Sequence, residues 1–136
     1  MIPKTLLFSG RFDRPHLGHI QTITRLGKEY SKVLIVVLDY PEQYWPVQYR
    51  AQILKDQLDR SKGNYEVITN TIHFGKISKH ELSQFAFDVY GSGNLKVLKH
   101  IETLGYQTIF VERSDYAAAT DDRMFHQIKE IFHGQS

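Results

Sequence analysis

The sequence predicts an α/β fold of Rossmann-like type, a parallel five-stranded sheet with helices on both faces. Three observations predict it. Residues 32–39 (KVLIVVLD) form an unbroken, β-branched apolar run, the pattern of a parallel strand covered on both sides. Apolar residues before and after that run recur at helical spacing, so strand and helix alternate along the chain. Such alternation requires crossover connections, and these place helices above and below a parallel sheet.

Element by element, residues 4–9 (KTLLFS) read as a buried strand ending at Gly10. Residues 18–30 carry Ile20, Ile23, Leu26 and Tyr30 on one helical stripe. Residues 47–58 form a second helix with Ile53, Leu54 and Leu58 on one side, and residues 65–69 (YEVIT) a third strand. Residues 87–90 (FDVY) read as the fourth strand, followed by a turn at Gly91-Ser92-Gly93-Asn94. Residues 95–104 repeat the helical period through Leu95, Leu98 and Ile101, with Gly105 as the cap. Residues 108–111 (TIFV) are the fifth strand, and residues 123–132 a closing helix with Phe125, Ile128 and Phe132 on one face. Sheets of this kind bind ligands beyond the carboxyl ends of their strands, near the switch in strand order. Functional residues are therefore expected at 9–19, 39–46, 91–94 and 112–120.

At 136 residues the chain is expected to be one domain, residues 1–136, large enough to fold without a disulfide or metal staple. It contains no cysteine, which excludes disulfide and thiolate chemistry and fits a cytoplasmic location. The longest strongly apolar run, residues 33–38, is far short of a membrane span, and residues 1–10 lack the apolar core of a secretory signal. The net charge of +2 is spread among acids with no block of like charge, so small anions are expected as ligands rather than nucleic acid.

The most unusual stretch is Ser9 to His19, between the first strand and the first helix. Gly10 permits a sharp turn or a close backbone approach, and Pro15 stiffens the loop. His16 and His19, three residues apart, share one side of the first helical turn, with the side-chain-free Gly18 between them. A helix N-terminus adds unpaired N–H groups and the positive end of a dipole. With Arg11, these parts make an anion site. No metal site is expected there, because zinc would require a third protein ligand that the surrounding sequence does not offer.

This segment resembles the signature G-x-F-D-x-x-H-x-G-H of the HxGH nucleotidylyltransferase superfamily. It stands here as Gly10-Arg11-Phe12-Asp13-Arg14-Pro15-His16-Leu17-Gly18-His19, without a mismatch. Length and layout are similar to the small cytidylyltransferases of the glycerol-3-phosphate type, and Arg50 sits where those enzymes carry an arginine before a similar apolar helix. A second family motif is R-T-E-G-I-S-T-T in cytidylyltransferases and I-S-S-T-x-x-R in adenylyltransferases. Arg113 and Thr120 keep the seven-residue separation of the first form, and Thr120 and Arg123 match the end of the second. The chain departs from the pattern at Ala118 and Ala119, where phosphate-binding hydroxyls are usual. It departs again in lacking any lysine between Lys32 and Lys55, where the family reaches for a phosphate.

The resemblance implies transfer of a nucleoside monophosphate, CMP favoured, from a triphosphate to a phosphorylated small molecule such as glycerol 3-phosphate. An adenylyltransferase of nicotinamide mononucleotide or phosphopantetheine type is the alternative, as is a nucleotide-binding regulator without turnover. It implies His16 and His19 as catalytic residues and Gly10, Arg11, Phe12, Gly18, Arg113, Thr120 and Arg123 as nucleotide-binding ones. Asp13 and Lys76, or the neighbouring Lys79, would meet the acceptor. It further implies Mg2+ accompanying the triphosphate, and a homodimer. Tyr40, Tyr44 and Trp45 either stack on a ligand or pack on their own domain. His73, His80, His100, His126 and His133 read as solvated or capping residues.

Overall fold

The computed structural model describes residues 2–112. Their order is β1 (Ile2–Gly10), α1 (Leu17–Glu29), β2 (Tyr30–Leu38), α2 (Val47–Asp59), β3 (Tyr65–Asn70), α3 (Lys79–Leu82), β4 (Val89–Ser92), α4 (Leu95–Thr103) and β5 (Gln107–Phe110). The five strands pair in the order β3-β2-β1-β4-β5, all parallel. The Rossmann-like sheet is the one the sequence predicts. The chain builds outward from β1 to β3, then crosses back to place β4 on the other side of β1. The switch in strand order therefore falls between β1 and β4, and ligands of open α/β sheets bind beyond the carboxyl ends of the strands there.

Residues alternate between two cores because successive side chains on a strand point to opposite faces. Leu6, Phe8, Val33, Ile35 and Val37 pack with Ile23 and Leu26 of α1 and Leu54 and Leu58 of α2. Leu7, Leu34, Val36, Leu38 and Tyr90 face the other way, against Phe74, Ile77, Leu82 and the Leu98–Ile101 pair of α4. The β1–β2 register sets Leu7 opposite Leu34 and Phe8 opposite Ile35, so both cores are continuous across the central strands.

Three sequence expectations are corrected. The fourth strand is Val89–Ser92 rather than 87–90, so Gly91 and Ser92 belong to the ladder and the turn is confined to Gly93 and Asn94. Glycine is needed at position 91: a Cβ there would lie 3.0 Å from Val111 and 3.3 Å from both Ile109 and Leu6. Second, α3 was not anticipated. Its four residues are held by a capping box in which Ser78 Oγ accepts from the Glu81 amide and Glu81 Oε1 accepts from the Ser78 amide. Third, the first strand starts earlier, at Ile2. Gly105 adopts a φ of 93°, as expected for a residue ending α4. The helix expected over 123–132 lies outside the described residues, as do His126 and His133.

One polar pair lies inside the second core. Ser9 Oγ and the Tyr90 hydroxyl are hydrogen-bonded to each other, joining the carboxyl end of β1 to β4. Burial raises the Tyr90 pKa well above the ordinary phenol value, with the bond from Ser9 opposing the shift. A phenol with a raised folded-state pKa stabilises the fold fully below its unfolded value and loses that contribution as pH climbs toward the folded value. Wild-type stability should therefore fall above about pH 10, and Tyr90→Phe should fall less steeply over the same range. At neutral pH the same variant should lose about 1–3 kcal/mol, because Ser9 Oγ is left buried without its partner. Urea titrations at several pH values check both outcomes.

Candidate functional site

The site is built on the loop from Gly10 to His16 and on the first turn of α1. A Cβ at Gly10 would press on the Phe12 ring at 3.1 Å, so the missing side chain lets the chain fold back over that ring. Phe12 takes a φ of 47° and Arg14 a φ of 61°, left-handed values that each cost a non-glycine residue on the order of 1 kcal/mol or more. Asp13, between them, holds the strained loop in place. Its carboxylate accepts from the Tyr44 amide at 2.6 Å, the Trp45 amide at 3.1 Å and the Arg14 amide at 3.1 Å. Both Asp13 oxygens thus fasten the loop after β2 to the loop after β1.

His16 is the N-cap of α1 and His19 its third residue. Their rings stack with centroids 3.6 Å apart and planes 21° from parallel. The His16 amide donates to His19 Nδ1 at 3.2 Å. A neutral His19 therefore carries its proton on Nε2. Phe12 lies edge-on to His19 at 5.1 Å and edge-on to Phe8 at 5.6 Å, so the core itself supports the ring pair from below. The amides of Leu17 and Gly18, first in the helix, have no acceptor within it. Two imidazoles and a helix N-terminus meet at the carboxyl end of β1, beside the switch in strand order. That arrangement can donate several hydrogen bonds to one anionic group.

Across the switch point, the chain leaves β4 through Gly93, where a Cβ would lie 3.1 Å from the Val111 carbonyl oxygen. Asn94 then caps α4, its Oδ1 accepting from the Lys96 and Val97 amides. Two helices thus begin at the carboxyl edge of the adjacent strands β1 and β4, each with its positive end there.

Arg50 is the residue whose role sequence reasoning missed. It is 1% exposed, among the largest fully buried side chains. Its Nε donates to the Trp45 carbonyl at 2.8 Å and its Nη1 to the Leu38 carbonyl at 3.1 Å. It also donates to the Arg11 carbonyl and to Gln43 Oε1. One guanidinium therefore ties together the end of β2, the loop after it and the loop after β1. Burial lowers its pKa from the usual arginine value, and the nearby Asp13 and Asp39 carboxylates oppose that shift. The signal was present in the sequence: position 50 falls on the same helical stripe as Ile53, Leu54 and Leu58, all buried.

Of the residues expected from sequence, His16, His19, Gly10, Phe12, Gly18 and Asp13 are brought together. The Phe12 ring is buried beneath His19 rather than presented to a ligand. The Arg11 guanidinium turns toward the loop after β2, donating to the Glu42 carbonyl and lying 5.5 Å over the Tyr40 ring. Lys76 is exposed in the turn after β3. Arg113, Thr120 and Arg123 lie outside the described residues. Among the described residues no group of three or more His, Asp or Glu side chains is placed to hold a metal ion, and no helix is long and apolar enough to cross a membrane.

No family model matches the chain. Over 66 residues, 47% of this chain, it is 32% identical to a phosphopantetheine adenylyltransferase of Natranaerobius thermophilus. The chain spans 40% of that protein's length. Its architecture is similar to that of a universal stress protein solved in complex with cAMP, with a TM-score of 0.56 and 11% identity over 84% of this chain and 100% of the other. That likeness concerns the fold alone.

Replacing Arg50 by leucine keeps the apolar stem and removes four hydrogen bonds to backbone and amide oxygens. The expected loss is on the order of 3 kcal/mol, because those oxygens are left without their charged donor. Faster amide hydrogen exchange at residues 39–46 should accompany it, and an unchanged exchange pattern in that loop would refute the linkage.

Proposed function

We propose that this chain is a nucleotidylyltransferase that moves a nucleoside monophosphate from a nucleoside triphosphate to a phosphorylated acceptor. The observation that carries the reading is the His16–His19 ring pair, stacked at the head of α1 beside the switch point and supported from below by Phe12. The local similarity to a phosphopantetheine adenylyltransferase supports the same chemistry. It also favours ATP over the CTP that chain length and layout favour.

In the proposed reaction, a phosphate oxygen of the acceptor attacks the α-phosphorus of the triphosphate in line with the leaving group. A phosphoanhydride bond forms between acceptor and α-phosphate. The bond from the α-phosphorus to the bridging oxygen breaks, and pyrophosphate leaves with its electron pair. No covalent enzyme intermediate is needed. The task of the protein is to bring two anions together and to stabilise the charge growing on the phosphoryl oxygens. His19, with Nδ1 engaged by the His16 amide, would donate from Nε2 to the α-phosphate or bridging oxygen. His16 and the first amides of α1 would serve the remaining oxygens. Magnesium would travel with the triphosphate, held by phosphates and water, since the described residues offer no carboxylate cluster for it.

A second reading, nucleotide binding without turnover, draws on the absence of lysine between Lys32 and Lys55 and on Ala118 and Ala119. Pyrophosphate release separates the two readings. With ATP or CTP, magnesium and a panel of phosphate monoesters, the wild type should release pyrophosphate. His16→Ala and His19→Ala should each lower the rate by about 10²- to 10³-fold while retaining the wild-type melting temperature. Normal turnover in either variant would end the catalytic proposal. Nucleotide binding with no pyrophosphate from any acceptor would support the second reading.

A further inference from the structure

Two serines stand at the carboxyl ends of the two strands that flank the switch in strand order. β1 and β4 run parallel, with Leu7 opposite Tyr90 and Phe8 opposite Gly91. One step further along both strands come Ser9 and Ser92. Side chains alternate between faces, so both serines lie on the face of Leu7 and Tyr90, on neighbouring strands about 4.8 Å apart. They are 8% and 7% exposed, two of the four polar or charged side chains buried among the described residues. A glycine follows each, Gly10 and Gly93, so the first residue past either hydroxyl brings no side chain to the sheet edge.

Each serine uses its oxygen on a partner inside the protein and keeps its proton. The Ser92 oxygen accepts from the Asn94 amide at 3.1 Å. Ser9 is bonded to the Tyr90 hydroxyl. A phenol is the stronger donor and the poorer acceptor of that pair, so Tyr90 gives its proton to Ser9. Among the described residues neither serine proton then meets an acceptor. Buried donors left unmet are costly, and one ligand oxygen at this edge would satisfy two of them at once.

The surroundings select a negatively charged acceptor. Residues 89–101 contain no acid and carry Lys96 and Lys99. The carboxylate nearest in sequence, Asp88, is at the opposite end of β4 and holds the Thr5 amide. α4 starts just past Ser92, with its positive end at this edge. Asn94 Oδ1 already takes the Lys96 and Val97 amides, which leaves the two hydroxyls as the side-chain donors. A cation finds no partner here, whereas a phosphate oxygen accepts from both serines.

Resting on the reading of this edge as a site of phosphoryl transfer, we infer that Ser9 and Ser92 form a two-hydroxyl subsite for a phosphate oxygen at the switch point. It lies on the face of the sheet opposite to α1, and so is separate from the imidazole pair. Neither serine belongs to the segment from Gly10 to His19. The oxygen comes from the triphosphate or from the phosphorylated acceptor, two sources with the same chemistry.

The test is a titration of the full chain with inorganic phosphate, followed through the backbone amide resonances of Gly10, Gly93 and Asn94. Wild type should show saturable shifts at all three. Ser9→Ala and Ser92→Ala should each weaken that binding by about tenfold or more, the loss of one hydrogen bond to a charged group. Tyr90→Phe breaks the same buried bond as Ser9→Ala but keeps the serine proton, and should weaken binding by no more than about threefold. A merely structural role for the pair would move those two variants alike. Should Ser9→Ala fail to fold, Ser92→Ala, which leaves the Tyr90 bond intact, carries the test. The inference is overturned by no saturable shift in wild type, by unchanged affinity in either serine variant, or by equal losses in Ser9→Ala and Tyr90→Phe. Repeating the wild-type titration with a saturating non-hydrolysable ATP analogue separates the sources. Displaced phosphate assigns the subsite to the triphosphate, undisturbed binding assigns it to the acceptor, and both support the inference. Thermal stabilisation by the analogue alone reports on the nucleotidyl-transfer reading. Stabilisation without phosphate binding overturns the subsite alone, phosphate binding without stabilisation overturns that reading alone, and neither signal overturns both.

Discussion

The candidate site depends on one buried cation. A guanidinium removed from water is costly unless its donors are met, and Arg50 meets that demand with oxygens from three separate segments. Because those oxygens belong to Leu38, Arg11, Gln43 and Trp45, the loops after β1 and β2 cannot move independently. Asp13 adds a second fastening between the same two loops through the Tyr44 and Trp45 amides. Opposite charges, Arg50 inside and Asp13 at the rim, thus make one rigid body of two surface loops. Loops usually carry the mobility of a fold, and here the loop after β1 is immobilised both by these hydrogen bonds and by the buried Phe12 ring.

That rigidity gives the strained backbone its meaning. Two left-handed residues flanking Asp13, Phe12 and Arg14, would relax in a free loop. Held by Asp13, they aim the Phe12 ring into the core and the Arg11 guanidinium outward along the sheet edge. The buried ring then supports His19, and His19 stacks on His16. A chain of contacts runs from the hydrophobic core through one phenyl ring to two imidazoles, so the ring pair is positioned before any ligand arrives. Such preorganisation is what electrostatic stabilisation of a phosphoryl group requires, since donors that must reorient lose most of their advantage.

The fold was legible where local pattern and buried environment agree. The run at residues 33–38 reads as a central strand because both of its faces are covered, and it is. The fourth strand was read two residues early because Phe87 and Val89 carry strand-like side chains, whereas Gly91 and Ser92 do not. Gly91 is in the ladder because neighbouring Leu6, Ile109 and Val111 fill its space, which is long-range information. In α3 the Ser78–Glu81 capping box was visible, yet a helix of four residues leaves no periodicity to read. Within the site, Gly10 to His19 could be picked out because its parts are contiguous. The Tyr40–His73 stack joins residues 33 positions apart and has no signature in either local sequence. Arg50 lies between these cases: a charged residue on an apolar stripe is a readable anomaly, but its partners are not.

The loop after β1 serves both sides of the site at once. Its histidines stand at the head of α1, next to the switch point, while Arg11 and Asp13 reach the other way, across β2. Had the Asp13 carboxylate been left for a ligand, the loop after β2 would lose two of its amide anchors, and the Tyr40 ring would lose the frame that presents it to Arg11 and His73. The Asp13 carboxylate therefore fixes the spacing between the imidazole pair and the loop after β2 that carries Tyr40. The absent lysine is consistent with this division. A flexible ammonium after β2 would add charge without fixing geometry, whereas an arginine laid on a stacked ring supplies charge at a position the fold has already set.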